Sequence, residues 1–395
     1  MHDVLVVGAG CAGAPTAMLL ARKGFRVLLV DRARLGRDTL STHYVQQPGV
    51  ALLRDWGLLD AVLGTGCPPI DHVGYRAADV AIDGPAWAYD GMGAALAPRR
   101  YLLDRLLVEA AVSAGVEFRD GYRVTDLIVE DGQVVGVRAR GADGAPVDER
   151  ARLVVGADGM RSVVAARAGA VTRIADPLTT CVYYTYWPAV SDRFEIHEAP
   201  GRWVGVVPTN DGLTLVATYF PQAEYERVRR DANAAYLAGI RAAAPDVRER
   251  LSSPAERLYG TGAQHNYFRQ AVGPGWALVG DAGHHKDSLT ARGITDAFHQ
   301  ARLLADSVAD GLADPYRLRS ALLRFERRRD ELLMDEYLVT LSMARLDLGE
   351  DRLARLRAAA GDPARSGRFF RSLCGQPFQA EMRPPAATRA AAVAT

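Results

Sequence analysis

The chain reads as an α/β protein. A Rossmann-like nucleotide-binding domain carries a parallel sheet and a small antiparallel layer, with an inserted antiparallel-sheet domain and helices at the C-terminal end. Three observations predict this. Residues 4–31, VLVVGAGCAGAPTAMLLARKGFRVLLVD, give strand, glycine turn, apolar helix and second strand in one unit. Two more short apolar runs, 152–155 and 277–280, each close on glycine and aspartate. Between them, 171–270 changes texture to strands rich in tyrosine and tryptophan.

In the first unit, residues 4–7 are wholly apolar, as in a strand buried on both faces of a parallel sheet. Gly8, Gly10 and Gly13 form GxGxxG. Gly8 makes the tight turn, Gly10 lets a pyrophosphate approach the backbone, and Gly13 brings the helix close to the strand. The helix start offers free N–H groups and the positive end of a dipole to phosphate, and Pro15 is tolerated in a first turn. Asp31 ends the second strand, where a carboxylate can accept the hydroxyls of an adenosine ribose. Glycine turns alone are common; the whole unit predicts a dinucleotide site.

A polar loop follows, with His43 a candidate neighbour of a redox ring, and then an amphipathic helix over 50–59. Helical spacing recurs over 99–114, with arginines at its start. Short strands over 116–118, 123–130 and 134–140, with turns at Asp131-Gly132 and Asp143-Gly144, predict the small antiparallel layer. Alternation in CVYYTYW (181–187), WVGVVP (203–208) and LTLVATYF (213–220) predicts sheet strands with two distinct faces. A long amphipathic helix is expected over 222–242, and others over 294–312 and 319–347. The resulting division is 1–70, 98–170 and 271–330 for the nucleotide-binding domain and 71–97 with 171–270 for a substrate domain. A C-terminal helical segment (331–383) and a disordered tail (384–395) complete it.

Composition narrows the function. Of 395 residues, 49% are hydrophobic and 24% charged, an ordinary globular balance for about two domains. A net charge of +1 argues against a nucleic-acid partner, since no basic excess exists to neutralise phosphates. Cys11, Cys67, Cys181 and Cys374 lack CxxC spacing, against a metal or disulfide framework and for a reducing cytoplasm. The uncharged stretch 4–21 is broken by glycines and Pro15, so it is read as a buried βα unit and no membrane span is expected. Nearly all positive charge is arginine, only Lys23 and Lys286 being lysines, which hints at a bacterial high-GC genome.

Three separated motifs, GAGCAG with Asp31, GADG at 156–159 with Ser162, and GDAG at 280–283, stand in an order that resembles the single-component FAD-dependent aromatic hydroxylases, the p-hydroxybenzoate-hydroxylase-like flavoprotein monooxygenases. The resemblance covers about residues 1–329 and implies a GR2-type FAD-binding domain. It places Gly8, Gly10, Ala12, Gly13, Asp31 and Arg32 along the ADP half of FAD and Arg100 near the flavin. Asp158 and Gly159 are linked to FAD and NAD(P)H, and Asp281 to the ribityl chain. It further implies that NAD(P)H reduces FAD, that O2 adds to give a flavin 4a-hydroperoxide, and that a small aromatic substrate of secondary metabolism is hydroxylated. The chain departs from the family pattern at Ser288 (usually proline), Ala291 (usually glycine) and Ala166 (usually arginine).

A histidine suits proton removal from substrate because its pKa lies near working pH. His284, His285 and Lys286 on the loop after GDAG, together with His43, are the catalytic candidates. Tyr183, Thr185, Trp187, Trp203 and Tyr219 are candidates for the substrate wall, with Tyr184 and Tyr186 replacing the first three if the strand faces the other way. Flavin-dependent halogenases share the scaffold, but Gly205 stands where their WxWxIP motif has its second tryptophan and neither lysine is suitably placed. A geranylgeranyl-reductase-like reduction of C=C bonds is an alternative, and a non-catalytic FAD-binding protein a third.

Overall fold

The computed structural model describes residues 1–373 except 37 and 313. Its main sheet holds parallel strands in the spatial order Trp276–Leu278, Pro146–Gly156, His2–Val7, Val27–Val30, Glu117–Arg119. Val4, Leu5 and Val6 have no exposed surface, because helices cover the face of Val4 and Val6 while the small antiparallel layer and the short helix Val163–Arg167 cover that of Leu5. The strand foreseen at 152–155 is the second half of the longer Pro146–Gly156. Its first half turns out to pair with Gln133–Arg140 and so ties the small antiparallel layer to the parallel core.

The GxGxxG turn is as tight as its glycines allow. A Cβ on Gly13 would lie 1.7 Å from the Gly8 carbonyl oxygen, and one on Gly8 would lie 2.4 Å from the Ala157 oxygen. Gly8 also has φ +101°, which only glycine adopts without strain. Gly13→Ala is therefore expected to open the turn and lower stability by about 1–3 kcal/mol, with loss of bound dinucleotide; thermal melting and the absorbance of purified protein check this.

A seven-stranded sheet forms the inserted domain, in the order Tyr259–Thr261, Thr180–Pro188, Leu213–Pro221, Arg202–Pro208, Phe194–Ala199, His72–Ala77, Val80–Pro85. Alternation sends Val182, Tyr184, Tyr186, Trp203, Val207, Leu215 and Tyr219 to one face, packed towards Tyr44, Leu289 and Ala291. The other face, with Tyr183, Trp187, Val204, Val206, Val216 and Phe220, is covered by helix Ala232–Ala243. A three-stranded sheet is formed by Thr172–Asp176, Asn266–Arg269 and His284–His285.

Several elements differ from expectation. The helix foreseen at 222–242 is broken into Tyr225–Arg230 and Ala232–Ala243. Asp231 leaves helical geometry (φ −140°, ψ 74°) and its carboxylate accepts from the Ala234 N–H, so side-chain capping outcompetes continuation. The helix foreseen at 50–59 runs Gln47–Asp55 and stops before Gly57, which has φ +75°. The last helices are Pro315–Met343, Glu350–Ala360 and Pro363–Leu373; the tail 384–395 lies outside the described residues. Among the described residues no helix is long and apolar enough to cross a membrane.

Candidate functional site

The three glycine motifs meet. Gly8 abuts Ala157 of the second motif, and a Cβ on Gly280 of the third would lie 2.7 Å from Ala12 Cβ. Backbone bonds lock the seam: the Ala157 N–H donates to Val7 O (2.8 Å) and the Val279 N–H to Gly156 O (2.9 Å). The 16-residue helix Gly293–Val308 starts beside them, with no side-chain cap on its first N–H groups.

Each predicted cofactor residue has a definite place. Asp31 accepts the Ala9 N–H at 2.8 Å and the Ala33 N–H at 2.7 Å, which fixes its carboxylate at the strand end. Arg32 beside it is exposed. Arg100 lies over the turn, with Nη2 3.2 Å from where a Gly10 Cβ would be, and forks onto Asp104 at 3.0 and 2.9 Å. Asp158 is turned to building its own loop. It accepts from Ser162 Oγ (2.6 Å) and the Val163 N–H (2.6 Å), while burial raises its pKa above the usual carboxylate range. Asp281 holds its backbone carbonyl on the Tyr267 hydroxyl (2.5 Å), and no protein donor among the described residues hydrogen-bonds its carboxylate. Its charge is felt at Arg100 and Cys11, which places the third motif's acid against the first motif's turn. Glycine clearance beside a clamped arginine, with an uncommitted carboxylate nearby, fits a dinucleotide that carries a polyhydroxyl chain.

The four catalytic candidates do not come together. His284 and His285 point to opposite sides of their short strand. His284 is buried against Phe268 (4.4 Å between ring centres) and Tyr337 (5.9 Å). Burial first, then the charges of Lys286 and Arg329, hold its pKa well below the ordinary histidine value. His285 bonds the His265 carbonyl and stacks on Tyr267. Lys286 is buried and paired with Asp296.

Since the folded pKa of His284 is depressed, the unfolded chain binds more protons in acid. The stability it contributes is full above pH about 6.5 and falls by about 1.4 kcal/mol per pH unit below it. Its Nε2 has no hydrogen-bond partner among the described residues, so His284→Phe loses no bond there. This variant is expected to melt like the parent at pH 7.5 and to lose less stability between pH 6.5 and 5.5, as read from melting midpoints against pH.

His43 occupies a different setting. It is fully buried, at φ +61°, a left-handed conformation that costs a non-glycine residue on the order of 1–3 kcal/mol. Its Nε2 is 2.5 Å from the Tyr186 hydroxyl, and its buried Nδ1 has no partner among the described residues. Burial, then Arg100 and Arg99, push its pKa well below the ordinary value, which favours the neutral ring. Tyr186 lies beneath Arg99, whose guanidinium carbon is 3.9 Å from the ring centre and which pairs with Asp38 and with Glu256 at 2.8 Å. Burial raises the Tyr186 pKa far above that of a free phenol. Tyr184 accepts the Ser41 N–H at 3.2 Å.

Tyr184, Tyr186, Trp203 and Tyr219 share the sheet face that packs towards Tyr44, Leu289 and Ala291. Of the two alternatives, Tyr183, Thr185 and Trp187 lie on the opposite face, Trp187 donating its indole N–H to Tyr236 at 3.0 Å and Thr185 its hydroxyl to Glu256 O at 2.8 Å. Sequence reasoning did not single out Asp104, Arg99 or Asp38. The i,i+4 spacing of Arg100 and Asp104 was a visible signal; Asp38 carries none, because its partner is 61 residues away. Ser288, where the resembled family has proline, donates its N–H to Gln264 Oε1 at 3.2 Å and lies 3.0 Å from the Tyr219 hydroxyl. A proline would delete both bonds. Ala291, at the family's glycine position, has φ +53°.

Comparison with known proteins agrees with this geometry. A family model described as FAD binding domain matches residues 1–331. Digeranylgeranylglycerophospholipid reductase 1 of Methanopyrus kandleri is 27% identical over 85% of this chain and 88% of its own. The 6-methylpretetramide 4-monooxygenase of Streptomyces rimosus is 29% identical over 78% of this chain and 76% of its own. The solved structure of the flavin-dependent brominase Bmp2 superposes with TM-score 0.82 at 18% identity, covering 95% of this chain and 93% of that one.

Proposed function

The chain belongs to the FAD-binding-domain family of aromatic-hydroxylase-like oxidoreductases, and from that premise we propose that it is an NAD(P)H- and O2-dependent monooxygenase that hydroxylates an uncharged aromatic small molecule. Bound FAD would supply hydride acceptance and oxygen activation. The residues that would hold it are Gly8, Gly10, Gly13 and Asp31 at the ADP half, Asp281 at the sugar chain and Arg100 at the ring.

One observation carries the reading: the buried His43–Tyr186 pair joins the Arg100 end of the cofactor site to the aromatic sheet face. A neutral imidazole can accept a proton. With Arg99 and Arg100 close by, negative charge developing on a bound phenol is stabilised. Loss of that proton raises electron density on the aromatic ring, which favours attack on an electrophilic oxygen. The aromatic face and the loop 288–291 exclude water from the pair.

The chamber offers no lysine for halide chemistry. Lys23 pairs with Asp306 at 3.0 Å and Lys286 with Asp296. The likeness to the brominase therefore supports the fold alone. Reduction of an isolated C=C bond is the second reading, favoured by the 27% identity to a digeranylgeranylglycerophospholipid reductase.

Oxygen uptake by FAD-loaded protein with NADH or NADPH, across phenols and aromatic amines, tests the proposal. A phenol should accelerate nicotinamide oxidation and oxygen consumption together. Anaerobic turnover of a polyprenyl double bond, with no substrate-stimulated uptake, would replace it by the reductase reading.

A further inference from the structure

The sheet face behind Tyr186 is not filled evenly. One row across four strands runs Tyr184, Ala217, Gly205, Ile196, as the strand pairings show. The neighbouring rows carry Tyr219 with Trp203 on one side and Leu215 with Val207 on the other. The middle of the face thus has two nearly absent side chains framed by large ones. Tyr184 and Ile196 stand three strand spacings apart, about 14 Å.

Gly205 is buried, yet among the described residues a Cβ built on it would meet nothing within 4 Å beyond its chain neighbours. Two neighbouring glycines of this domain, buried Gly239 and strand residue Gly260, behave oppositely. A Cβ on Gly239 would lie 2.6 Å from Thr218, and one on Gly260 would lie 2.3 Å from the Tyr183 ring. Those glycines exist so that neighbours can pack. Gly205 does not, and interiors rarely leave such space. It sits on a strand at ordinary φ, so no backbone conformation demands glycine there.

We infer that Gly205 and Ala217 form a slot in the chamber wall that receives the distal rings of a flat, uncharged, fused-ring phenol. This rests on the proposed role of the face as the substrate wall. The slot is bordered by the π faces and edges of Tyr184, Trp203 and Tyr219, which favour a planar aromatic partner. The cations bordering the face are committed: Arg99 to Asp38 and Glu256, Arg352 to Glu198 at 2.8 Å, and Arg100 to Asp104. A substrate carboxylate would have to break one of these pairs, whereas a neutral phenol would not. Gly205 is then a specificity-determining residue that sets how large a ring system enters.

Titration calorimetry of the FAD-loaded protein with phenol, 2-naphthol, 1-hydroxypyrene and 2-naphthoate tests the slot. Wild type should bind 1-hydroxypyrene at least about tenfold more tightly than phenol, and 2-naphthol more tightly than 2-naphthoate. Gly205→Val should weaken 1-hydroxypyrene by about tenfold or more and leave phenol within about twofold, with Gly205→Ala between. FAD content and melting midpoint should hold in both variants, because the added methyls enter open space. Equal affinity of wild type and Gly205→Val for 1-hydroxypyrene would overturn the slot, as would a preference for 2-naphthoate or no saturable binding of the fused-ring phenols. Loss of oxygen uptake with this binding pattern intact would remove the monooxygenase reading alone; the reverse result would remove the slot alone.

Discussion

Asp281→Ala is expected to purify with little or no FAD, and to bind added FAD about a hundredfold or more weakly than the parent. The carboxylate stands where the GD motif meets the phosphate turn, and no protein donor among the described residues hydrogen-bonds it. Hydrogen bonds from sugar hydroxyls to a carboxylate are charge-assisted and contribute about 1.5–3 kcal/mol each. Losing two of them accounts for a hundredfold change or more. Fold stability without cofactor should change little, since the backbone carbonyl of residue 281 keeps its bond to Tyr267. Equilibrium dialysis or flavin fluorescence quenching measures the affinity. Stoichiometric, tight FAD in this variant would remove Asp281 from the site.

Tyr186→Phe should keep FAD and lose turnover, with kcat falling about a hundredfold, the lower range for removing an acid–base group. Phenylalanine preserves the ring beneath Arg99 and hence the stacking. It deletes the hydroxyl 2.5 Å from His43 Nε2, leaving a buried nitrogen unpaired and the imidazole unoriented. A kcat loss at constant FAD content, with KM little changed, separates this positioning role from a packing defect. If substrate-stimulated oxygen uptake by Tyr186→Phe matches the parent, the pair plays no part in proton handling.

Much of the cofactor half could be read directly from residues. Local glycine spacing, apolar strands of matched length and a terminal acid are short-range signals, and Gly13 against Gly8 and Asp31 against Ala9 act within their own unit. The substrate half could not be read as far. Alternation in 181–187 announces a sheet with two faces, but which face meets the cofactor depends on where helix Ala232–Ala243 packs, a tertiary choice absent from the strand itself. The loop histidines lie apart for a related reason. His284 is next in sequence to the cofactor motif, yet a strand turns successive side chains to opposite sides, and burial against Phe268 and Tyr337 claimed it. His43 stood out in its loop, while its partner Tyr186 lies 143 residues away and could not be paired with it. Asp231 shows a local signal winning: a capping residue inside an amphipathic run divided the helix.

The central claim is that the three glycine motifs bind one FAD whose reactive edge faces His43, Tyr186 and the Gly205 slot. A crystal structure of the FAD-loaded protein tests it most directly. The account predicts the ribityl chain on Asp281, Arg100 beside the ring, and the ring's reactive edge opening onto the face that carries Tyr184, Tyr186, Trp203 and Tyr219. A ring directed away from that face, or a nucleotide bound without contact to Asp281, would contradict it.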